Sequence, residues 1–500
     1  MKLKVSDILS KIIYALCAVC FILVIIRAFW NSIFEYDPLW LGLSTLLALG
    51  AMFGFCLLVR NKESFFKKHG DWFTLGFLIL MGACQILLSF KLRYTPVYDI
   101  EAIYDGAIKW ATTGDFTEYY EYFAMFHNNF GGLVLMRVWF GLVNLFGIKS
   151  YFISASVFNS ALSLSAMYLT GSVLSKLIGE RARITAYFIF LISLPFYFIA
   201  PTFYTDSLTM VFPVLAFWLW LKARDEKRFI VKLLYFVLMG LSVGLGYGIK
   251  ATVLIMLIAI VIEAVLYYDL KTWLSLAACT AALVLAFNLA VHGIVYSHIG
   301  REYAEEKQVP LTHWIMMGLY GWGGYNSTDY EFTKSFEDPD ERSEAVKERL
   351  LQRLKSLDAE KAVRLFGNKI DLVFCDGTYG LADCLGCPHG DDNFLHSFLL
   401  REGENHAPYK YFTTGVLMAL YVLLIVSCVF GVVKKAGTEG IDTVRILAPR
   451  LALFGLFVFF LIWEARWRYF SNYVPVIMIC AVIGLECLMS AVGRRTVKDA

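Results

Sequence analysis

Charge is what this 500-residue chain has least of: 17% of its residues are charged, against 58% hydrophobic and 16% aromatic. Soluble domains carry about 25% charged residues, so an ordinary water-soluble protein is excluded. The mean hydropathy is +0.61, and apolar stretches of roughly 20 residues recur along the chain, the length that crosses a bilayer. The net charge of +3 therefore says little about partners, because charge in such a chain is sorted by membrane side. A cleavable signal pattern is also lacking. The first apolar run, Ile8 to Trp30, is too long for a signal h-region and no small-x-small site follows it, so it is expected to stay as an anchor. No nucleotide-binding pattern is present, and no nucleic-acid partner is expected.

Candidate spans are 8–30, 39–59, 71–91, 151–175, 184–202, 206–221, 229–249, 251–268, 272–296, 411–433, 446–464 and 470–491. A further apolar segment, GGLVLMRVWFGLVNLFG (131–147), is short and carries Arg137 near its middle. Lysine and arginine arbitrate, since they collect on the cytoplasmic side. With Lys2, Lys4 and Lys11 inside and 131–147 lying in the interface, the inside loops hold Arg60, Lys62, Lys67 and Lys68. They also hold Lys176, Arg181 and Arg183; Lys222, Arg224, Lys227 and Arg228; Lys271; and Lys434, Lys435 and Arg445. The tail with Arg494, Arg495 and Lys498 is inside as well. If 131–147 crosses, every cluster after it moves outside. The expectation is twelve spans with both termini cytoplasmic. It divides the chain into an N-terminal hairpin (1–70), a transmembrane core (71–296) with a first outer loop (92–150), an outer cap loop (297–408) and C-terminal spans (409–500).

The outer face then gathers the chemistry. TPVYDIEAIYDGAIKW (95–110) brings Asp99, Glu101 and Asp105 together. If helical, it sets Ile100, Ile103, Ala107, Ile108 and Ala111 on one stripe, suited to the membrane surface. Asp99 and Asp206 each have a bland reading as helix caps. Lys250, Arg466 and Arg468 have one as headgroup anchors, and Asn128 and Asn129 one as turn formers. Trp40, Trp218 and Tyr267 read as interfacial belt residues. The cap loop is acidic, and DPDERSEAVKERLLQRLKSLDAEKAVRLF (338–366) spaces Val346, Leu350, Leu351, Leu354 and Leu357 as a helix does. Of 11 cysteines, eight fall in spans. Cys375, Cys384 and Cys387 share the outer loop, where a disulfide is the first expectation. A metal site with His389 and a redox dithiol are the alternatives.

Acids and cations at one interface suit transfer from a lipid phosphate: an acceptor hydroxyl needs a base, and a departing phosphate needs positive charge. FHNNFGG (126–132), FYTDSL (203–208), GIKATVLIMLIA (248–259), HWIMMGLYGWGGYN (313–326) and EARWRYFSNYVP (464–475) follow the first-loop Asp99, Tyr104 and Ala107 in order. This order resembles bacterial GT-C glycosyltransferases of the Gram-positive type, related to protein mannosyltransferases and the aminoarabinose transferase. Phe126-His127 departs from that family's tyrosine-proline. The resemblance implies an all-α polytopic GT-C fold with interfacial helices in the first outer loop. It also implies an inverting glycosyltransferase that takes a monosaccharide from polyprenyl (undecaprenyl) phosphate. Its acceptor would be extracytoplasmic: a cell-wall polysaccharide, teichoic acid or lipid-linked glycan.

Carried over, Asp99 is the catalytic base and Asp206 a second acid that helps to bind acceptor or a divalent ion. Lys250, Arg466 and Arg468 clamp the phosphate. Tyr104, His127, Asn128, Asn129, Tyr204, His313 and Glu464 line the substrate. A divalent cation, Mg2+ or Mn2+, is left open. The rival reading is a transporter or flippase, for which Glu263 inside span 251–268 is the best residue.

Overall fold

The computed structural model describes residues 2–30, 32–433 and 446–498. Lys434, Lys435 and Arg445 of the charge count lie outside the described residues, as do the side chains of Lys2, Lys4, Arg494, Arg495 and Lys498. The described chain is all helical, with one isolated bridge between Tyr94 and His389. Twenty-four α-helices follow in order: α1 (Lys2–Trp30), α2 (Pro38–Asn61), α3 (Glu63–Lys91), α4 (Tyr98–Thr113), α5 (Tyr120–Met125), α6 (Phe130–Leu145), α7 (Tyr151–Ile178), α8 (Glu180–Ile192), α9 (Pro195–Phe198), α10 (Thr205–Leu208), α11 (Val211–Asp225) and α12 (Phe229–Ile249). The second half continues with α13 (Val253–Tyr267), α14 (Leu270–Ile299), α15 (Arg301–Lys307), α16 (Leu311–Gly318), α17 (Ser327–Lys334), α18 (Pro339–Ser356), α19 (Ala359–Phe374), α20 (Leu381–Leu385), α21 (His396–Leu399), α22 (His406–Val433), α23 (Leu447–Ile462) and α24 (Val474–Lys498).

Among the described residues, nine helices are long and apolar enough to cross a membrane, and α13 and α23 are shorter apolar helices. Eleven of the twelve expected spans therefore appear as apolar helices, and the twelfth, 184–202, is broken. Its helix α8 stops at Ile192, and Pro195 opens the four-residue α9. Proline has no N–H to donate and clashes with a preceding turn, so the helix cannot run through. The irregular backbone that follows is satisfied from neighbouring segments, as an apolar surrounding demands. Gln85 donates to the Phe196 carbonyl at 2.7 Å, Asn159 to Ile199 at 2.8 Å, and Tyr94 to Pro201 at 3.0 Å.

At the bundle centre α24 packs on α22, α7 and α8, while α22 also packs on α1 and α2. Close approach there requires glycine: a Cβ on Gly484 would overlap the Leu423 carbonyl. The outermost helices turn Leu46, Leu47, Leu285 and Leu289 outward, as a lipid-facing surface would. Segment 131–147 forms the 16-residue α6, packed mainly on α4. The apolar side of α4, with Ile100, Ile103, Ala107 and Trp110 buried, is covered by protein. Its expected partner, the membrane surface, takes at most the half-buried Ile108 and Ala111. Glu263, the candidate for a transport pathway, accepts from Trp220 at 2.8 Å, Arg224 at 3.0 Å and the Ala448 amide at 2.8 Å.

The cap loop departs most from expectation. The single helix expected over 338–366 is two, because Asp358 caps a new start by accepting from the Lys361 amide at 2.9 Å. Helices α16 to α18 form the true cap, tied by Arg353 to Asp329 at 2.6 and 2.8 Å. From there α19 runs down against α1 and α23, burying Leu365, Ile370, Leu372, Val373 and Phe374. The following segment keeps Cys375, Tyr379, Leu381 and Cys384 inside as well. Much of what reads as a hydrophilic cap is core. Asp371, with a side chain 0% exposed, pairs there with Arg27 of α1, at 3.1 Å from Nε. Arg27→Ala leaves that carboxylate buried and uncompensated, which costs about 3–5 kcal/mol. Thermal unfolding of the purified protein in detergent should show this loss, and Arg27→Ala with Asp371→Ala should lose less than the two single changes together.

Candidate functional site

Three chain breaks meet at the site: the irregular stretch before α10, the α12–α13 break at Lys250, and the segment between α23 and α24. The second break is pinned from α24's approach, where the Tyr473 hydroxyl donates to the Thr252 carbonyl at 2.9 Å and accepts from Met256 N at 3.0 Å. Asn472 adds a bond to the Thr252 hydroxyl at 3.1 Å. The end of α12 is pressed against α6 so closely that a Cβ on Gly131 would overlap the Gly248 carbonyl.

Asp206 sits at the convergence, 4% exposed. It is not a helix cap: Lys250 pairs with its Oδ1, and Arg468 Nε lies 3.1 Å from its Oδ2. Both cations also face aromatic rings, Lys250 at 4.3 Å from the Tyr469 centroid and Arg468 at 4.8 Å from that of Tyr204. The carboxylate and the two rings hold the Arg468 guanidinium as a cation, while burial pushes the Tyr204 and Tyr469 hydroxyls well above the usual tyrosine range. Glu464 accepts from Arg466 Nε at 3.2 Å and from the Tyr469 hydroxyl at 3.2 Å. Its burial raises its carboxyl, with Arg466 opposing. A small crevice, partly open to solvent, is lined by Tyr204, Asp206, Ser207, Tyr379, Cys384 and Arg468 among others.

Asp99 stands one tyrosine away. The N-cap of α4 is Val97, so Asp99 is not the cap either. Its half-buried carboxylate accepts from the Tyr122 hydroxyl at 2.8 Å and the Tyr204 hydroxyl at 3.1 Å. Among the described residues no cation pairs with it. Asn129 donates to the Tyr122 oxygen at 2.6 Å, and Asn128 to Asn129 at 3.3 Å. Tyr325 of the cap lies near both Asp99 and Arg466, whose guanidinium is 5.2 Å from its ring.

The site thus unites Asp99, Tyr204, Asp206, Lys250, Arg468, Glu464 and Arg466, with Asn128 and Asn129 behind. Three expected lining residues sit apart. Tyr104 packs edge-on against Phe140 and tilted on Phe203. His127 is buried among Phe130, His292 and Tyr296, and desolvation pulls its pKa down to about 4. His313 is buried in the cap with Nδ1 2.7 Å from the Thr333 hydroxyl. Tyr325, with Asn326, reads from the sequence as a cap-loop residue suited to acceptor recognition, whereas Tyr122, Tyr469 and Trp467 give no such signal, Trp467 bonding Asp383 through its indole N–H. An aromatic signals burial in a membrane chain and nothing more, although YEYFAM flanks a motif already singled out and RWRYF lies inside one.

The outer-loop cysteines carry no disulfide: Cys375, Cys384 and Cys387 are free and buried. Cys375 Sγ points to the Val24 carbonyl and Asp371, and Cys387 Sγ to the Asp383 carbonyl, so neither joins His389 in a metal site.

Fold and site together define a polytopic all-α membrane protein with a charged crevice where its broken helices meet. The family model described as "conserved hypothetical integral membrane protein" matches residues 7–488, and the chain belongs to that family. No curated protein matches it. Among solved structures, the archaeal oligosaccharyltransferase AglB from Archaeoglobus fulgidus, in complex with an inhibitory peptide and a dolichol-phosphate, is similar at 14% identity and a TM-score of 0.42, covering 86% of this chain and 52% of that one. ArnT from Cupriavidus metallidurans bound to undecaprenyl phosphate is similar at 12% identity and a TM-score of 0.36, covering 82% and 77%. The chain spans about half the length of the oligosaccharyltransferase. Alkylation of the purified protein without reductant should leave Cys375, Cys384 and Cys387 untouched until it is unfolded. It should then modify all three, read by peptide mass spectrometry; a cross-linked pair would contradict the site as built.

Proposed function

We propose that this chain is an inverting GT-C-type membrane glycosyltransferase. It moves a monosaccharide from a polyprenyl-phosphate carrier to an extracytoplasmic acceptor such as a cell-wall polysaccharide, teichoic acid or lipid-linked glycan. One observation carries the reading: a carboxylate held by two neutral hydroxyls, Asp99, stands a single tyrosine from a cluster of cations. Of a carboxylate's roughly four lone-pair sites, two are taken by Tyr122 and Tyr204, which leaves room for an acceptor hydroxyl.

In the reaction, the acceptor oxygen attacks the anomeric carbon and gives its proton to Asp99. The new glycosidic bond forms as the bond to the phosphate oxygen breaks, and the electron pair leaves with the phosphate. Arg468 and Arg466 stabilise that charge, preorganised so that nothing must reorient as it develops. Asp206, with an oxygen on each of Lys250 and Arg468, acts as their counter-ion and sets their positions. That replaces the role of second acid facing acceptor or metal. Among the described residues no second free carboxylate is bonded beside Asp99 to share a divalent cation. Sidedness follows the lysine and arginine distribution: termini cytoplasmic, crevice outside.

Asp99→Asn should lower sugar transfer from defined polyprenyl-phosphate donors by at least ~10²-fold, the scale of general-base catalysis, with thermal unfolding unchanged. Near-normal turnover would remove Asp99 from the role of base. For sidedness, Lys227→Cys in an otherwise cysteine-free chain should react with an impermeant maleimide only after the cells are opened. Labelling of intact cells would invert the topology.

A further inference from the structure

Beside the site, the outer loop carries a second set of donors that the transfer reaction does not use. His389, Asp392 and His396 bring one donor atom each within 4.8 Å of one another. His389 Nε2 lies 2.8 Å and His396 Nδ1 3.4 Å from the same Asp392 oxygen. In a tetrahedral zinc site with bonds of ~2.0–2.1 Å, neighbouring donors stand about 3.3 Å apart, close to both of these spacings.

The supports are also in place. His389 Nδ1 lies 3.1 Å from the Cys387 carbonyl, and donation there would leave Nε2 as the ligating nitrogen, the usual outer support of a metal-bound histidine. His396 Nδ1 accepts the Asn393 amide at 3.2 Å, so that nitrogen is unprotonated, and an ion would take its lone pair in place of the amide hydrogen. His396 is buried, whereas the Asp392 side chain is 82% exposed. An ion can therefore enter from solvent and keep a water as its remaining ligand.

We infer that His389, Asp392 and His396 form a site for a transition-metal ion of the zinc class that clasps the outer loop onto the chain leading to Asp99. Two imidazoles with one carboxylate favour such ions over Mg2+ or Ca2+, which prefer oxygen. The clasp has a definite target. Tyr94 bridges to His389, Thr95 N donates to the Pro388 carbonyl at 2.6 Å, and Asn393 Nδ2 donates to the Lys91 carbonyl at 2.8 Å. Those residues run directly into α4 and Asp99. An ion bound here stiffens the stretch of loop that these bonds hold against the base's own segment, without touching the reacting atoms. The site does not depend on the glycosyltransferase reading.

The test uses the full chain in detergent, stripped with chelator and titrated with Zn2+ against a zinc indicator. One zinc per chain is expected. Asp392→Asn, an exposed change that leaves the fold alone, should weaken binding at least ~10-fold, and His389→Gln should do the same. Cys387→Ser should bind as the wild type does, because that sulfur faces the Asp383 carbonyl. Zinc should also slow proteolysis between residues 388 and 400 in the wild type and not in Asp392→Asn. Failure of the stripped wild type to take up zinc overturns the site. Wild-type affinity in both Asp392→Asn and His389→Gln overturns it too, as does loss of zinc in Cys387→Ser alone.

Discussion

Everything at the site turns on one buried carboxylate with two cations. Asp206 of the short α10, next to the first break, meets Lys250 and Arg468 from the other two, and none could be buried alone, since an isolated charge in an apolar interior costs far more than a fold can spare. Pairing brings the three breaks together, and the local backbone must then stay irregular. It can do so because Gln85 and Asn159 from neighbouring helices, and Tyr94 and Tyr473 from neighbouring connecting segments, reach in to satisfy it. Glycines such as Gly131 let the helices close around it. Removing Asp206 would leave two cations facing each other without a counter-ion, so its loss would disturb the architecture before it disturbed any chemistry.

The same cluster sets a charge balance. Lys250, Arg466 and Arg468 stand against Asp206 and Glu464, which leaves one positive charge in excess. That suits a single anionic group such as a lipid phosphate. Asp99 is kept out of this balance by Tyr204, whose hydroxyl meets the carboxylate while its ring meets Arg468. A direct Asp99–Arg468 pair would stabilise the charged carboxylate and make it a poorer proton acceptor. The ring works as a spacer, which explains why a base and a cation cluster can sit side by side without neutralising each other.

How much of this the sequence discloses follows from what each signal measures. Hydropathy measures length and apolarity, so the spans were legible, and only 184–202 was not, because Pro195 breaks a stretch that stays apolar throughout. The gathering of Asp99, Asp206, Lys250 and Arg468 was legible through lysine and arginine sidedness and the order of motifs. Their partners were not: whether Asp206 faces substrate or faces Lys250 is a matter of side-chain direction that no spacing encodes. His127 fell next to the right asparagines, yet Asn129 turns to Tyr122 while His127 packs on Phe130. Two steps along the short 3-10 helix His127–Asn129 separate a core residue from a site residue.

The outer loop shows the sharper failure and its cause. Averaged over 297–408 the loop is acidic and polar, and averaging hides that α18 keeps the charge while α19 and the residues after it carry Leu365, Ile370, Val373, Phe374 and Leu381 inward. Cysteines in such a stretch look like an exposed disulfide framework only if the stretch is exposed. Buried, they are small apolar residues. The loop's descent also changes what the cap is. Because one chain segment joins Asp329 and Arg353 above to Tyr379 and Cys384 in the crevice wall, the cap is not a lid resting on a finished core. It supplies part of the site's wall, so any movement of the cap must either bend at Asp358, where α18 hands over to α19, or carry the wall of the crevice with it.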